Sequence, residues 1–201
     1  MAEGGWLGPS AAHLCIDMQR LFSNEGPWRT PWMERVLPQV TALAEDAPAR
    51  TIFTRFIPPI AADDMPGMWR AYYHKWANVT RTQLDPSLLE LMPPLHALIP
   101  PAHVIDRPVY SAFWGGALRD YLSHHHVDTL ILTGSETDVC VLSSVLAAID
   151  HGYRIVLAED GVCSSADQTH DALMQLYRSR FDVQIIVAKI DEIRAAWRGG
   201  R

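Results

Sequence analysis

The stretch GSETDVCVLSS, Gly134 to Ser144, sets a cysteine between a strand-like run, TLILT (Thr129 to Thr133), and a helix-like one, VLSSVLAAID. A thiol so placed is either small core filler or a nucleophile. Thr137 or Asp138 is able to cap the helix, which sets Cys140 in the first turn, where free N–H groups and the positive dipole end stabilise a thiolate. Gly134 permits a sharp strand-to-helix turn whose backbone N–H groups can face a developing oxyanion. Two more groups bear on the question: Asp17 closes the run HLCID, and Arg107 follows HVID. Taken singly, each has an ordinary explanation, since a strand-end Asp is commonly a turn residue, an Arg a surface cation and a Cys a buried hydrophobe. No histidine stands beside Cys140. A Cys/His pair stays open on sequence distance alone, but Asp17, from a neighbouring strand end, is the better-placed proton acceptor.

Convergence of these residues requires elements that bring them to one edge. Short apolar runs recur at HLCID (His13 to Asp17), TIFTR (Thr51 to Arg55), HVID (His103 to Asp106), TLILT, RIVLA (Arg154 to Ala158) and VQIIV (Val183 to Val187). Separated by longer amphipathic segments, they read as βαβ units around a buried, mainly parallel six-stranded sheet. The fold class is therefore α/β with three layers, and in such sheets ligands bind at the carboxyl ends of the strands. The best helices are MERVLPQVTALAED, with Pro38 a weak objection; LSSVLAAIDHG, stopped by Gly152; and SADQTHDALMQLYRSR, capped by Ser165. The segment from about 56 to 101 is proline-rich and without clear period, and reads as an irregular insertion with a helix near Ser87 to Ala97. Long insertions tend to be lids or interfaces. Its cluster of Trp69, Tyr72, Tyr73 and Trp76 is at least as often packing or a dimer contact.

Composition bounds the partners. The 201 residues, 48% hydrophobic and 20% charged, suffice for one domain with a real core. A net charge of −6 and only two lysines, Lys75 and Lys189, argue against nucleic acid or an anionic membrane surface. Cys15, Cys140 and Cys163 are odd in number, so at least one thiol is free and a cytoplasmic, reducing setting is expected. The N-terminal MAEGGWLGPSAA has no basic region before an apolar run, so neither targeting nor anchoring is expected.

CIDMQRLF, DRPVYSAF, TGSETDVCV and DHGYRIVLAEDGVCSS, in that order from about His13 to Val187, resemble the isochorismatase-like cysteine hydrolase superfamily. The resemblance implies a Rossmann-like α/β/α fold, a homodimer or homotetramer, and an Asp/Lys/Cys triad acting on small amides or related C–N bonds. Asp17 and Cys140 match directly. Arg107 stands where the superfamily has lysine, keeping a permanent charge but unable to shuttle a proton. It also implies a cis peptide at Ser135–Glu136, with the N–H groups of Glu136 and Cys140 as the oxyanion hole. Some members add a metal site on an Asp-x-His motif after the second strand, but here no histidine lies between Arg55 and Tyr73. No metal and no other cofactor is expected. The run His124-His125-His126 reads as a solvated helix end rather than a ligand tract. The small-molecule substrate is expected against walls of Phe22, Trp69, Tyr72, Tyr110 and Phe113. Vinyl-ether hydrolysis of the isochorismatase type, or a binding member weakened in catalysis, are the alternative readings.

Overall fold

Six runs rich in β-branched and aliphatic residues form strands, all pair in parallel, and the central β1 and β4 are buried throughout. They are β1 (Ala11–Ile16), β2 (Thr51–Phe56), β3 (His103–Arg107), β4 (Thr129–Ser135), β5 (Arg154–Cys163) and β6 (Ile185–Ala188). The order is β3-β2-β1-β4-β5-β6, which reverses direction between β1 and β4. A crevice forms at that switch point, outside the carboxyl ends of the strands. The computed structural model describes residues 6–199, so the first five residues of the N-terminal segment read above lie outside it.

The period-2 alternation of the strands divides two cores. Ala11 and Cys15 of β1 face one, and Ala12, Leu14 and Ile16 face the other. Helix α1 (Met33–Asp46) buries Met33, Val36, Val40 and Leu43 in the first core. It continues through exposed Pro38, whose lost backbone hydrogen bond is outweighed by that packed stripe. In the segment between β2 and β3 lie α2 (Gly67–Lys75) and the single-turn α3 (Pro93–His96). The opposite face carries α4 (Ala117–His124), α5 (Leu142–Asp150) and α6 (Asp167–Arg180), while α7 (Ile190–Gly199) returns to pack beside α1. Arg194 of α7 pairs with Asp46 of α1 at 2.7 Å. Among the described residues no helix is long and apolar enough to cross a membrane.

Several boundaries differ from expectation. The helix read as opening at Ser165 begins at Asp167, with Ala166 at its cap position and no side-chain cap, while the Ser165 N–H donates to Glu136 Oε1 at 3.1 Å. The helix expected near Ser87 to Ala97 is broken into a 3-10 turn, Pro86–Leu89, and α3, since Pro93 and Pro94 lack the N–H groups a continuous helix requires. The segment read as irregular contains α2. Trp69, Tyr72, Tyr73 and Trp76 stand at i, i+3, i+4 and i+7, the spacing of one helix face.

One buried group makes the sheet sensitive to acid. His13, in the middle of β1, has Nε2 2.7 Å from Thr133 Oγ1 and Nδ1 3.5 Å from Thr51 Oγ1. Burial pushes its pKa from 6.5 down to about 3. Between those values the unfolded chain binds a proton that the native one does not, so stability is complete above 6.5 and falls as the pH drops. Denaturant titrations of the parent and His13→Gln should differ in slope, the parent losing about 1.4 kcal/mol more per pH unit below 6.5. Parallel slopes would show that His13 is not the group responsible.

Candidate active site

Asp17 follows β1 in the left-handed region (φ 50°), a conformation Asp tolerates better than most side chains. Its N–H donates to the Thr54 carbonyl at 3.2 Å, and its Oδ1 accepts from Thr54 Oγ1 at 2.7 Å. Oδ2 accepts from Arg107 Nη2 at 2.6 Å, both side chains being fully buried. Arg107 ends β3 and reaches across β2 to the end of β1, its guanidinium 5.7 Å from the Phe56 ring centre. Burial acts to lower its pKa, but the neighbouring Asp17 and Cys140 outweigh that and hold it above its ordinary value.

The Cys140 side of the site is set by close backbone approach. Gly134 has φ 114°, and a Cβ there would lie 2.0 Å from the Ile16 carbonyl oxygen, so β1 and β4 can meet at this level only with glycine. The Ser135–Glu136 peptide bond is cis. The chain then winds through a π-helical turn, Thr137–Val141, before α5. No side chain caps this turn. Thr137 Oγ1 is 2.9 Å from His170 Nδ1, and Asp138 accepts from Ser164 Oγ and Thr169 Oγ1. Ser144 Oγ donates to the Cys140 carbonyl at 2.7 Å and accepts from the Ala112 N–H at 3.0 Å, which ties the loop after β3 to the turn bearing the thiol.

Cys140 sits close enough to Asp17 and Arg107 for both charges to act on its thiol. Burial pushes its thiol pKa well up, the Asp17 charge adds to this, and Arg107 opposes it. Burial and the Asp17 charge thus favour a thiol here, against the stabilisation of a thiolate expected from the helix start. Asp17, Arg107 and Cys140 come from the ends of β1 and β3 and the turn after β4, three carboxyl ends on one edge.

A cavity of about 380 Å³ opens above Cys140. Phe22, Tyr72 and Tyr110 of the expected walls line it. Trp69 stands behind the wall, 4.8 Å from Tyr110 and 5.4 Å from Tyr72 between ring centres. Phe113 is outside, in the core of the opposite sheet face, where it packs on His151 at 5.2 Å and Tyr153 at 5.8 Å. Sequence reading missed Trp28, the ring at the centre of the wall, which touches Phe22, Phe56, Tyr72 and Trp76 at about 6 Å. It also missed Thr54, a polar residue in an apolar strand, which was the available signal. Glu136 faces the cavity, with Oε1 3.3 Å from Thr30 Oγ1. Among the described residues no three His, Cys, Asp or Glu side chains gather as metal ligands would. His124, His125 and His126 are exposed at the end of α4.

A family model described as the Isochorismatase domain matches residues 11–189. Maleamate amidohydrolase of Pseudomonas putida is 28% identical over 181 residues, covering 85% of this chain and 82% of that protein. N-carbamoylsarcosine amidase of an Arthrobacter species is 26% identical over 164 residues, covering 77% and 60% respectively. A cysteine hydrolase from Pseudomonas syringae aligns over 100% of this chain and 99% of its own with a TM-score of 0.83, and at 19% identity that likeness concerns the fold.

The charge arrangement predicts opposite effects on two readouts. Asp17 raises the Cys140 pKa, so Asp17→Asn should make the thiol easier to ionise. Alkylation of Cys140 by iodoacetamide at pH 7, followed by peptide mass spectrometry, should be faster in Asp17→Asn than in the parent. Cys15 and Cys163, both with pKa values pushed to about 12 by burial, should remain unlabelled. Slower labelling of Cys140 in the variant would contradict this electrostatic account.

Proposed function

The chain belongs to the isochorismatase family of hydrolases, and from that premise we propose that it is a cysteine amidohydrolase opening a carboxamide-type C–N bond of a small substrate. The observation that carries the reading is the placement of Cys140, which lines the cavity with the Asp17 carboxylate close enough to act on its thiol, that carboxylate being held in turn by a buried cation. Asp17 takes the thiol proton as sulfur attacks the carbonyl carbon, so the thiolate exists only as the new bond forms. The N–H groups of Glu136 and Cys140 hold the oxyanion. The C–N bond breaks, Asp17 returns the proton to the departing amine, and a thioester remains for water to hydrolyse. Arg107 stays charged throughout, holding Asp17 in place and offsetting negative charge on sulfur. It takes no part in proton transfer.

The walls favour the substrate class. Six aromatic rings, Phe22, Trp28, Phe56, Tyr72, Trp76 and Tyr110, line the cavity and suit a planar or apolar group next to the carboxamide. The names of the maleamate and N-carbamoylsarcosine relatives support a small amide. The direct test is ammonia release from a panel of small amides with Cys140→Ser as control. Release by the parent and its loss in the variant support the reading, and equal release by both would end it.

Arg107 supplies a sharper check. If its role is electrostatic, Arg107→Lys should keep substantial activity or raise it, since the charge stays near Asp17 and Cys140. Arg107→Ala should lower kcat/KM by ~10²–10³, the usual loss for one preorganised electrostatic group. Amide hydrolysis by Arg107→Ala at the parent rate would remove Arg107 from the site.

A further inference from the structure

Two charged side chains line the cavity above Cys140, Glu136 and Arg29, and no ion pair joins them among the described residues. Arg29 is exposed, where water screens its charge, whereas Glu136 is half-buried. Glu136 is also fixed in place: its Oε1 accepts from Thr30 Oγ1 at 3.3 Å and from the N–H of Ser165, itself a cavity residue, at 3.1 Å. Its Oε2 takes no hydrogen bond among the described residues. Burial first, and then the Glu136 charge among others, pushes up the pKa values of Cys140, Tyr72 and Tyr110, so that charge is felt across the cavity. Asp17, the other carboxylate near Cys140, is balanced by Arg107 at 2.6 Å. Glu136 therefore leaves the interior of the site negative. The aromatic rings of the same cavity add to this, because the face of each ring is its negative side. Around Trp28 they are inclined at 56° for Tyr72, 65° for Phe56 and 85° for Trp76, and so border the space from several directions. Lys75 already lies over Trp76 at 5.5 Å and Arg107 over Phe56 at 5.7 Å, which leaves Phe22, Trp28, Tyr72 and Tyr110 for a ligand. Aromatic faces beside a carboxylate attract a large, weakly hydrated cation, and an alkylated ammonium group is what such enclosures hold best.

Resting on the amidohydrolase reading above, we propose that the substrate is a small amide carrying a methylated ammonium group, seated among the cavity's aromatic rings and paired with the Glu136 carboxylate. Glu136 then serves the site twice, its backbone N–H holding the oxyanion and its side chain selecting the charge of the substrate. A methylated ammonium keeps the apolar surface that the walls call for and adds the charge that Glu136 answers. The cavity, about 380 Å³, stands near the small end of ligand pockets (~300–1,000 Å³) and suits so compact a group. An anionic substrate would meet Glu136 and the ring faces, both negative, with only the screened Arg29 in its favour.

(Trimethylammonio)acetamide and 3,3-dimethylbutanamide share one shape and differ in charge at a single atom. The parent should hydrolyse the cation with kcat/KM roughly tenfold or more above the neutral isostere, the scale of a desolvated cation–π contact. Glu136→Gln keeps the backbone N–H and the oxygen that Thr30 and Ser165 use, and should lower that ratio several-fold through KM for the cation. Succinamate, an amide of similar size carrying a carboxylate, should be the poorest of the three. A parent that prefers succinamate or treats the two isosteres alike overturns the proposal, as does a ratio that Glu136→Gln leaves unchanged. Binding separates this inference from the amidohydrolase reading. Calorimetry with Cys140→Ser protein, which lacks the thiol, should show the cation bound roughly tenfold or more tighter than its isostere. That result, with no ammonia released by the parent from any amide, removes the hydrolytic reading and keeps the cation site. Equal or weaker binding of the cation by a protein whose parent does release ammonia removes the cation site and keeps the hydrolase.

Discussion

A guanidinium and a carboxylate buried together, Arg107 Nη2 2.6 Å from Asp17 Oδ2, form the interaction around which the site is organised. Burying either charge alone is prohibitive, and removing one partner of such a pair typically costs ~3–5 kcal/mol. The pair therefore acts as a unit. It spans the carboxyl ends of β3 and β1, with β2 between them, so it depends on the register of three strands. Phe56 pairs with Arg107 in that register, and Thr54 stands opposite Ile16 with its hydroxyl on Asp17. A slip of one residue would turn Thr54 to the other face of the sheet and strand both charges.

The same pair acts on Cys140. Burial pushes its thiol pKa up, the Asp17 charge adds to this, and Arg107 opposes them. A carboxylate close enough to raise a thiol pKa is also close enough to receive its proton when a carbonyl carbon arrives to share the negative charge. Backbone geometry contributes as much as charge. Gly134 lets β4 approach β1, and Ser144 fastens the turn of Cys140 to the loop that follows Arg107.

The apolar wall is assembled from distant parts of the chain. Trp28 comes from the loop before α1, Phe56 from the end of β2, Tyr72 from α2 and Tyr110 from the loop after β3. None of these rings stands alone. Trp28 touches four of its neighbours, so the wall is a packed layer in its own right, and it excludes water from the charges beneath. On its far side Tyr73 and Trp69 continue the stacking into the core.

Much of this was legible in the residues alone. Local periodicity located all six strands, with β5 running five residues past its expected end, and helices α1, α5 and α6 to within a few residues, but not α7. Strand ends in a parallel sheet share one edge, a rule that groups Asp17, Arg107 and Cys140 from the sequence. Helix α2 was also written there, in the spacing of Trp69, Tyr72, Tyr73 and Trp76, but the prolines around it obscured the period. Contacts across the sheet were not legible. Which face Phe113 occupies, that Trp28 is the hub of the wall, that Thr54 holds Asp17, and that burial and the Asp17 charge favour a thiol at Cys140 all depend on groups brought together from far along the chain. Burial and charge act through space, and only the tertiary structure decides which residues share it.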